Sequence, residues 1–268
     1  GEAAVRWLDE SIDVRRQPER VKPLIGYMPQ GLGLNLYDSL SVAENIEFFR
    51  ALRQVPEAAY RENRARLLAM TRLDKYRDRA MKNLSGGMKQ KLGLICTLIH
   101  EPELAILDEP TTGVDPVSRR DFWAILAELL QEKGMTALVS TAYMDEASRF
   151  HRLSFLSGGK VLASGTPAEV QMLAPGSMVT FEATPQLDAI ARLKMRYKQV
   201  ETLGPLLHVF TDDTVPAAAM QSIAASLGDI KPMQLRVNEP ELEDVFVALL
   251  LRQGEQPTAI EMPPAAPV

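Results

Sequence analysis

The sequence predicts an α/β protein in two parts: a parallel-sheet core carrying a helical subdomain, then a small α+β domain. Three observations predict it. Short, uninterrupted apolar runs such as Leu104-Ala105-Ile106-Leu107 and Ala137-Leu138-Val139 suit parallel strands buried on both faces. Amphipathic helical stretches alternate with them, as in crossover units. After Pro175-Gly176 the texture changes, and the elements follow in the order β-α-β-β-α-β. A chain of 268 residues, 46% hydrophobic and 24% charged, has the length for about two domains of ordinary globular composition.

Composition excludes several classes. A formal net charge of −5 argues against nucleic-acid affinity through gross charge, so no direct DNA binding is expected. The single cysteine, Cys96, sits inside an apolar helix and suits a small buried hydrophobe better than a nucleophile. One cysteine permits no disulfide framework, which fits the cytosol. The longest strongly apolar run, Val245 to Leu251, is far short of the ~20 residues that span a bilayer. No signal peptide is visible. Any membrane part is therefore expected on another chain or beyond the two ends.

Taken in order, Ala3 to Trp7 suits a short edge strand, and Val21 to Met28 a second strand ending at Pro29-Gln30. Residues from about 41 to 100 form the helical subdomain. Ser41-Val42-Ala43-Glu44 is a capping-box pattern, and Pro56 suits the first turn of a second helix reaching about Leu73. A third helix opens at Ser85-Gly86-Gly87. Ser85 can cap it, and the two glycines let a ligand approach the bare N–H groups of its first turn. Such a helix end favours an anion by about 0.3–1 kcal/mol. Met88, Leu92, Ile95 and Ile99 share its inward face, and Pro102 stops it.

The Leu104–Leu107 strand then delivers two adjacent carboxylates, Asp108 and Glu109, to its carboxyl end, where open α/β sheets bind ligands. One carboxylate can hold Mg²⁺ while the next orients or deprotonates a water. A helix cap before Pro110 is the plain alternative, weakened by the glycine-rich helix start upstream. Pro116 starts a helix with Phe122, Ile125, Leu126 and Leu129 on its buried stripe and Gly134 as its stop. Trp123 lies one position off that stripe. The strand Ala137 to Thr141 comes next, then a hairpin, Leu153 to Leu156 with Lys160 to Ala163. Thr166-Pro167-Ala168-Glu169 combines a capping box with proline at the first helical position.

These motifs together resemble the ATPase domain of ABC proteins. LSGGM, starting at Leu84, matches the signature motif; LAILDE, starting at Leu104, matches Walker B; TGVD, ending at Asp115, matches the D-loop. Gln30 then matches the Q-loop. The resemblance implies a P-loop NTPase-like ABC ATPase core over residues 1–174. It also implies an accessory ferredoxin-like domain over 175–253, because Glu239 to Phe246 resembles the terminal motif of ABC-2 exporter ATPases. Residues 254–268, rich in Pro and Ala, suit a linker or tail. Within the family, the segment Met28 to Tyr37 and the signature, D-loop and TAYM motifs look closest to the first ATPase module of the ribosome-associated ATPases.

Two departures stand out. The family's phosphate loop, G-x-x-x-x-G-K-[ST], occurs nowhere in these residues, so the core is expected to be N-terminally truncated and inactive alone. Where the family usually places a histidine after the strand ending at Thr141, this chain has Ala142, which lacks a donor to the γ-phosphate.

The resemblance implies a module that binds ATP and Mg²⁺ and couples hydrolysis to export across a membrane. In that scheme Glu109 and Gln30 are catalytic, and Asp108 with Gln30 meets the metal. Ser85, Gly86, Gly87 and Asp115 form the half-site offered to a second ABC ATPase module, in a homodimer or a tandem fusion. An ABC-2 membrane domain is the further partner, which places the chain in the cytoplasm at the inner face of the membrane. A ribosome-associated module acting on translation and a non-hydrolysing degenerate module are the alternatives.

Overall fold

The computed structural model describes residues 4–7 and 10–252, and divides the chain into two compact units after Ala142. The first unit opens with an antiparallel pair, β1 (Ala4–Trp7) and β2 (Glu10–Asp13). A short helix, α1 (Pro18–Val21), and a 3₁₀ turn over Lys22–Leu24 precede β3 (Ile25–Met28). The strand expected from Val21 is therefore four residues shorter at its start. Pro18 sits in the first turn of α1 and Pro23 in the 3₁₀ turn, and each proline fixes φ near helical values there.

Three helices follow: α2 (Val42–Leu52), α3 (Glu57–Thr71) and α4 (Gly86–Leu98). The capping box at α2 is complete. Glu44 N–H donates to Ser41 Oγ at 3.2 Å, and Ser41 N–H donates to Glu44 Oε2 at 2.7 Å. Pro56 stands one residue outside α3, as its N-cap. Helix α4 packs against α2, α3, β3 and α5 (Pro116–Lys133). That central position explains why every residue from Leu92 to Ile99 is buried, where the sequence pattern indicates one inward face. Cys96 lies within this core, and burial pushes its thiol pKa up.

The strands β3, β4 (Leu104–Asp108) and β5 (Thr136–Ser140) form a parallel sheet in that order. The expectation that these strands are buried on both faces is corrected. Burial alternates along β3 and β4, with Tyr27 51% and Leu138 61% exposed on the open side. The reason is topological. The strand order steps twice in one direction, and right-handed crossovers then place both connections on the same face. Gly26 and Met28 press against α4 on the covered side: a Cβ on Gly26 would meet the Thr97 carbonyl oxygen at 2.6 Å. On α5, Phe122, Leu126 and Leu129 are buried, and so is Trp123.

The second unit starts with α6 (Met144–Ala147) and the hairpin β6 (Leu153–Ser157) and β7 (Lys160–Gly165), followed by α7 (Pro167–Gln171). Both arms of the capping box at Thr166 and Glu169 are present, at 3.2 and 2.8 Å. Then come β8 (Ser177–Glu182), α8 (Gln186–Lys194), β9 (Val200–Leu203), β10 (Leu206–Thr211), α9 (Pro216–Leu227) and β11 (Met233–Asn238). The antiparallel sheet has the order β11-β8-β10-β9, a ferredoxin-like arrangement. Val179, Phe181, Leu207 and Val209 pack with Leu193, Ile223 and Leu227 in one cluster.

The last helix, α10 (Leu242–Arg252), contributes to two clusters. Leu242 and Val245 pack with Leu153, Phe155 and Val170, whereas Ala248 packs with Met178 and Phe210. The boundary read from sequence, after residue 174, falls inside this unit. Pro175-Gly176 is a tight junction: a Cβ on Gly176 would lie 1.8 Å from the Thr211 carbonyl oxygen. The tail from 254 lies outside the described residues. Among the described residues no helix is long and apolar enough to cross a membrane.

Candidate nucleotide site

The carboxyl ends of the parallel strands set the first cluster. The register of β4 on β5 places Asp108 opposite Ser140. Ser140 Oγ donates to Asp108 Oδ1 at 2.5 Å and accepts from the Glu109 amide at 3.1 Å, an amide that also bonds the Ser140 carbonyl oxygen. One hydroxyl therefore fixes both acidic residues. The chain turns sharply here: Glu109 has φ of 43°, a left-handed value costing a non-glycine residue on the order of 1 kcal/mol. The turn swings its carboxylate towards β3. Gln30 Nε2 donates to Glu109 Oε2 at 2.8 Å, and Thr112 Oγ1 donates to the same oxygen at 3.1 Å.

The loop after Gln30 is anchored by Asn45, fully buried at the start of α2. Its Oδ1 accepts from the Tyr37 amide at 2.8 Å, and its Nδ2 donates to the Tyr37, Leu40 and Ser41 carbonyl oxygens.

A second cluster joins the α4 start to the α5 start. Ser85 Oγ accepts from the Met88 amide at 3.4 Å, a long cap that leaves the first amides of α4, on Gly86 and Gly87, outside it. Gly87 packs against the first turn of α5: a Cβ there would meet Ser118 Oγ at 2.4 Å. Gly113, with φ of 76°, makes the turn that brings the two helix starts together, its carbonyl oxygen beside Gly86. Asp115 caps α5, its Oδ1 accepting from the Ser118 amide at 2.9 Å. That backbone hydrogen bond, followed by the Ser118 hydroxyl, holds the Asp115 carboxyl below the usual carboxylate range.

The structure thus brings Gln30, Asp108 and Glu109 into one group, and Ser85, Gly86, Gly87 and Asp115 into another. The turn from Glu109 to Asp115 connects them. Ala142 follows β5 and is exposed, with a side chain that can donate nothing. Ser140, Thr112 and Asn45 were not singled out from sequence. A serine at the last position of a strand beside the acidic pair was the available signal for Ser140.

The donor set suits a hard cation. Ser140 occupies one oxygen of Asp108, and Gln30 uses its amide nitrogen, which leaves a carboxylate oxygen and an amide oxygen. Among the described residues no group of three or more His, Cys, Asp or Glu could hold a metal. An ion at these two oxygens would complete its shell with waters and phosphate oxygens, as Mg²⁺ commonly does.

The family model described as ABC transporter matches residues 2–112. The probable multidrug ABC transporter ATP-binding protein YbhF of Escherichia coli (strain K12) is 36% identical over 236 residues, covering 85% of this chain and 39% of that protein. The chain therefore spans well under half the length of that relative. The daunorubicin/doxorubicin resistance ATP-binding protein DrrA of Streptomyces peucetius is 30% identical over 246 residues, covering 88% of this chain and 73% of that protein. A solved structure of an ATP-binding subunit of an ABC transporter superposes with a TM-score of 0.52 at 28% identity, covering 60% of this chain and 66% of that one.

Proposed function

Because the chain belongs to the family of ABC transporter ATP-binding proteins, we propose that it is the ATPase module of an ABC-2 type exporter. The observation that carries the chemistry is the Gln30–Glu109 hydrogen bond at 2.8 Å, beside an Asp108 fixed by Ser140. In this reading Asp108 and Gln30 offer oxygens to Mg²⁺, which neutralises phosphate charge when bound. Glu109 orients the attacking water or takes its proton, through the oxygen that Gln30 and Thr112 do not occupy. Ser85, Gly86 and Gly87 present the α4 N-terminus to phosphates of ATP held by a second ABC ATPase module. Asp115, beside Gly87, would relay the state of one site to the other.

The partner on the membrane side is an ABC-2 membrane domain, in line with the multidrug and drug-resistance names of the relatives. The loop after Gln30 and helix α2 offer it exposed apolar side chains: Leu34 is 75% and Leu52 61% exposed, and the rings of Tyr37 and Phe48 meet edge to face with centroids 4.6 Å apart. This partner would hold the chain at the inner face of the membrane. A ribosomal role finds no support among the relatives described.

The decisive experiment supplies a phosphate-binding segment ahead of Gly1 and compares the parent with Glu109→Gln. Steady-state ATP turnover should fall by at least about 10²-fold with nucleotide binding retained, since the phosphate contacts persist. Turnover at the parent rate in Glu109→Gln would refute the assignment. Ala142 favours a second reading, a module that binds without hydrolysing. Binding with no turnover in the parent itself would establish that reading instead.

A further inference from the structure

We propose that Thr112 is a positioning residue for ATP hydrolysis, its hydroxyl keeping the Glu109 carboxylate aimed at the attacking water independently of Gln30. This role rests on the ATPase reading above. A glutamate side chain has rotamer freedom to lose, and its carboxylate acts on a water only from an aligned position. Two donors meet on Glu109 Oε2: Gln30 Nε2 at 2.8 Å and Thr112 Oγ1 at 3.1 Å.

The two donors are not equivalent. Gln30 follows β3, on a separate segment of the chain, and in the same reading its amide oxygen is offered to Mg²⁺. Gln30 therefore answers to two partners, and a shift towards one loosens its hold on the other.

Thr112 lies in the turn that Glu109 itself begins. Pro110 takes the second position of that turn, where its ring sets φ in advance. The Thr112 amide closes the turn on the Glu109 carbonyl oxygen at 3.2 Å. Backbone and hydroxyl of one residue thus hold one glutamate, at its carbonyl and at its carboxylate. The Val114 amide closes the next turn on the Thr111 carbonyl oxygen at 3.1 Å, and the Gly113 carbonyl oxygen lies beside Gly86 at the start of α4. The hydroxyl is placed by backbone that does not depend on where Gln30 points.

Two measurements test this role. The first takes the chain as it stands through a double-mutant cycle of Thr112→Val and Glu109→Ala in urea unfolding. The two changes should couple by about threefold or more in the unfolding equilibrium constant, because the acceptor is charged. Strictly additive changes would overturn the contact. The second uses the chain supplied with a phosphate-binding segment. Thr112→Val, which keeps the size and branching, should lower kcat about tenfold. KM for ATP and the affinity for a non-hydrolysable ATP analogue should stay within about twofold of the parent, since the phosphate contacts are untouched. Thr112→Ser keeps the hydroxyl and should recover most of the loss. Parent-like kcat in Thr112→Val would overturn the role. So would a loss seen in KM or in analogue binding instead, or a Thr112→Ser no better than Thr112→Val. A parent that couples in the cycle and binds ATP without turning it over would sink the ATPase reading, and this role with it.

Discussion

Replacing Gly87 by alanine probes the contact between the two helix starts directly. A Cβ at this position would lie 2.4 Å from Ser118 Oγ and 2.5 Å from Ser118 Cβ, against an ordinary contact of about 3.5–4 Å. One side must move by about 1 Å. Rotating the hydroxyl cannot relieve the clash, since Ser118 Cβ is equally close, and the Ser118 amide is held by Asp115. Overpacking of this kind costs ~1–3 kcal/mol, while alanine in a helix regains up to ~1 kcal/mol over glycine. The net expectation is a loss of about 1–2 kcal/mol, or a melting temperature lower by roughly 3–8 °C. Thermal unfolding of the chain followed by circular dichroism gives the number. The diagnostic arm is a double-mutant cycle: Ser118→Gly should rescue Gly87→Ala and Ser118→Ala should not, because only glycine removes the Cβ. Gly87→Ala stabilising the chain, as helix propensity alone demands, would refute the packing described.

Two further predictions concern buried polar groups. His100 bonds the Ile25 carbonyl oxygen at 3.2 Å, and burial, then the charge of Arg53, lowers its pKa to about 4. The neutral form is favoured in the fold, so its contribution is complete above pH 6.5 and lost as pH falls towards 4. After discounting for partial exposure, this removes about 1 kcal/mol between pH 7 and pH 5. Urea unfolding should show His100→Gln losing less stability than the parent over that interval, and equal losses would contradict the burial argument. Gln90 is buried on α4 with neither side-chain polar atom partnered, so Gln90→Met should raise stability by about 1–2 kcal/mol in the same assay. A destabilised Gln90→Met would mean that the amide is satisfied in the folded chain.

Features carried by neighbouring residues were legible in the sequence. The capping boxes at Ser41 and Thr166, the proline in the first turn of α5 and the left-handed stop at Gly134 each depend on a few adjacent positions. The acidic pair at the end of an apolar strand was legible for the same reason. What depends on pairing between distant segments was not. Ser140 matters because the parallel register sets it against Asp108, and register is not written in either strand alone. Strand β2, Glu-Ser-Ile-Asp, carries one apolar residue and so no alternation to read. The open sheet face escaped because apolar runs indicate what a strand can bury, while the direction of the crossovers decides what covers it. The left-handed Glu109 likewise has no local signature.

The two-sided packing of α10 bears on how the second unit comes apart. A helix that seals the hairpin with Leu242 and Val245 and the sheet with Ala248 belongs wholly to neither. Arg252 at its end bonds the Pro175 carbonyl oxygen, next to the junction where Gly176 meets β10. Cutting the chain at residue 175 would strip the Leu242 face of its cover, so the ferredoxin-like sheet is a weaker object by itself than its tidy topology suggests. Segments bound to a common helix open together, and native-state hydrogen exchange should find one shared free energy for the amides of β6, β8 and α10. The helix thus turns what reads along the chain as two successive modules into a single cooperative unit. A strain introduced at the hairpin is felt at the sheet without passing through the covalent link between them.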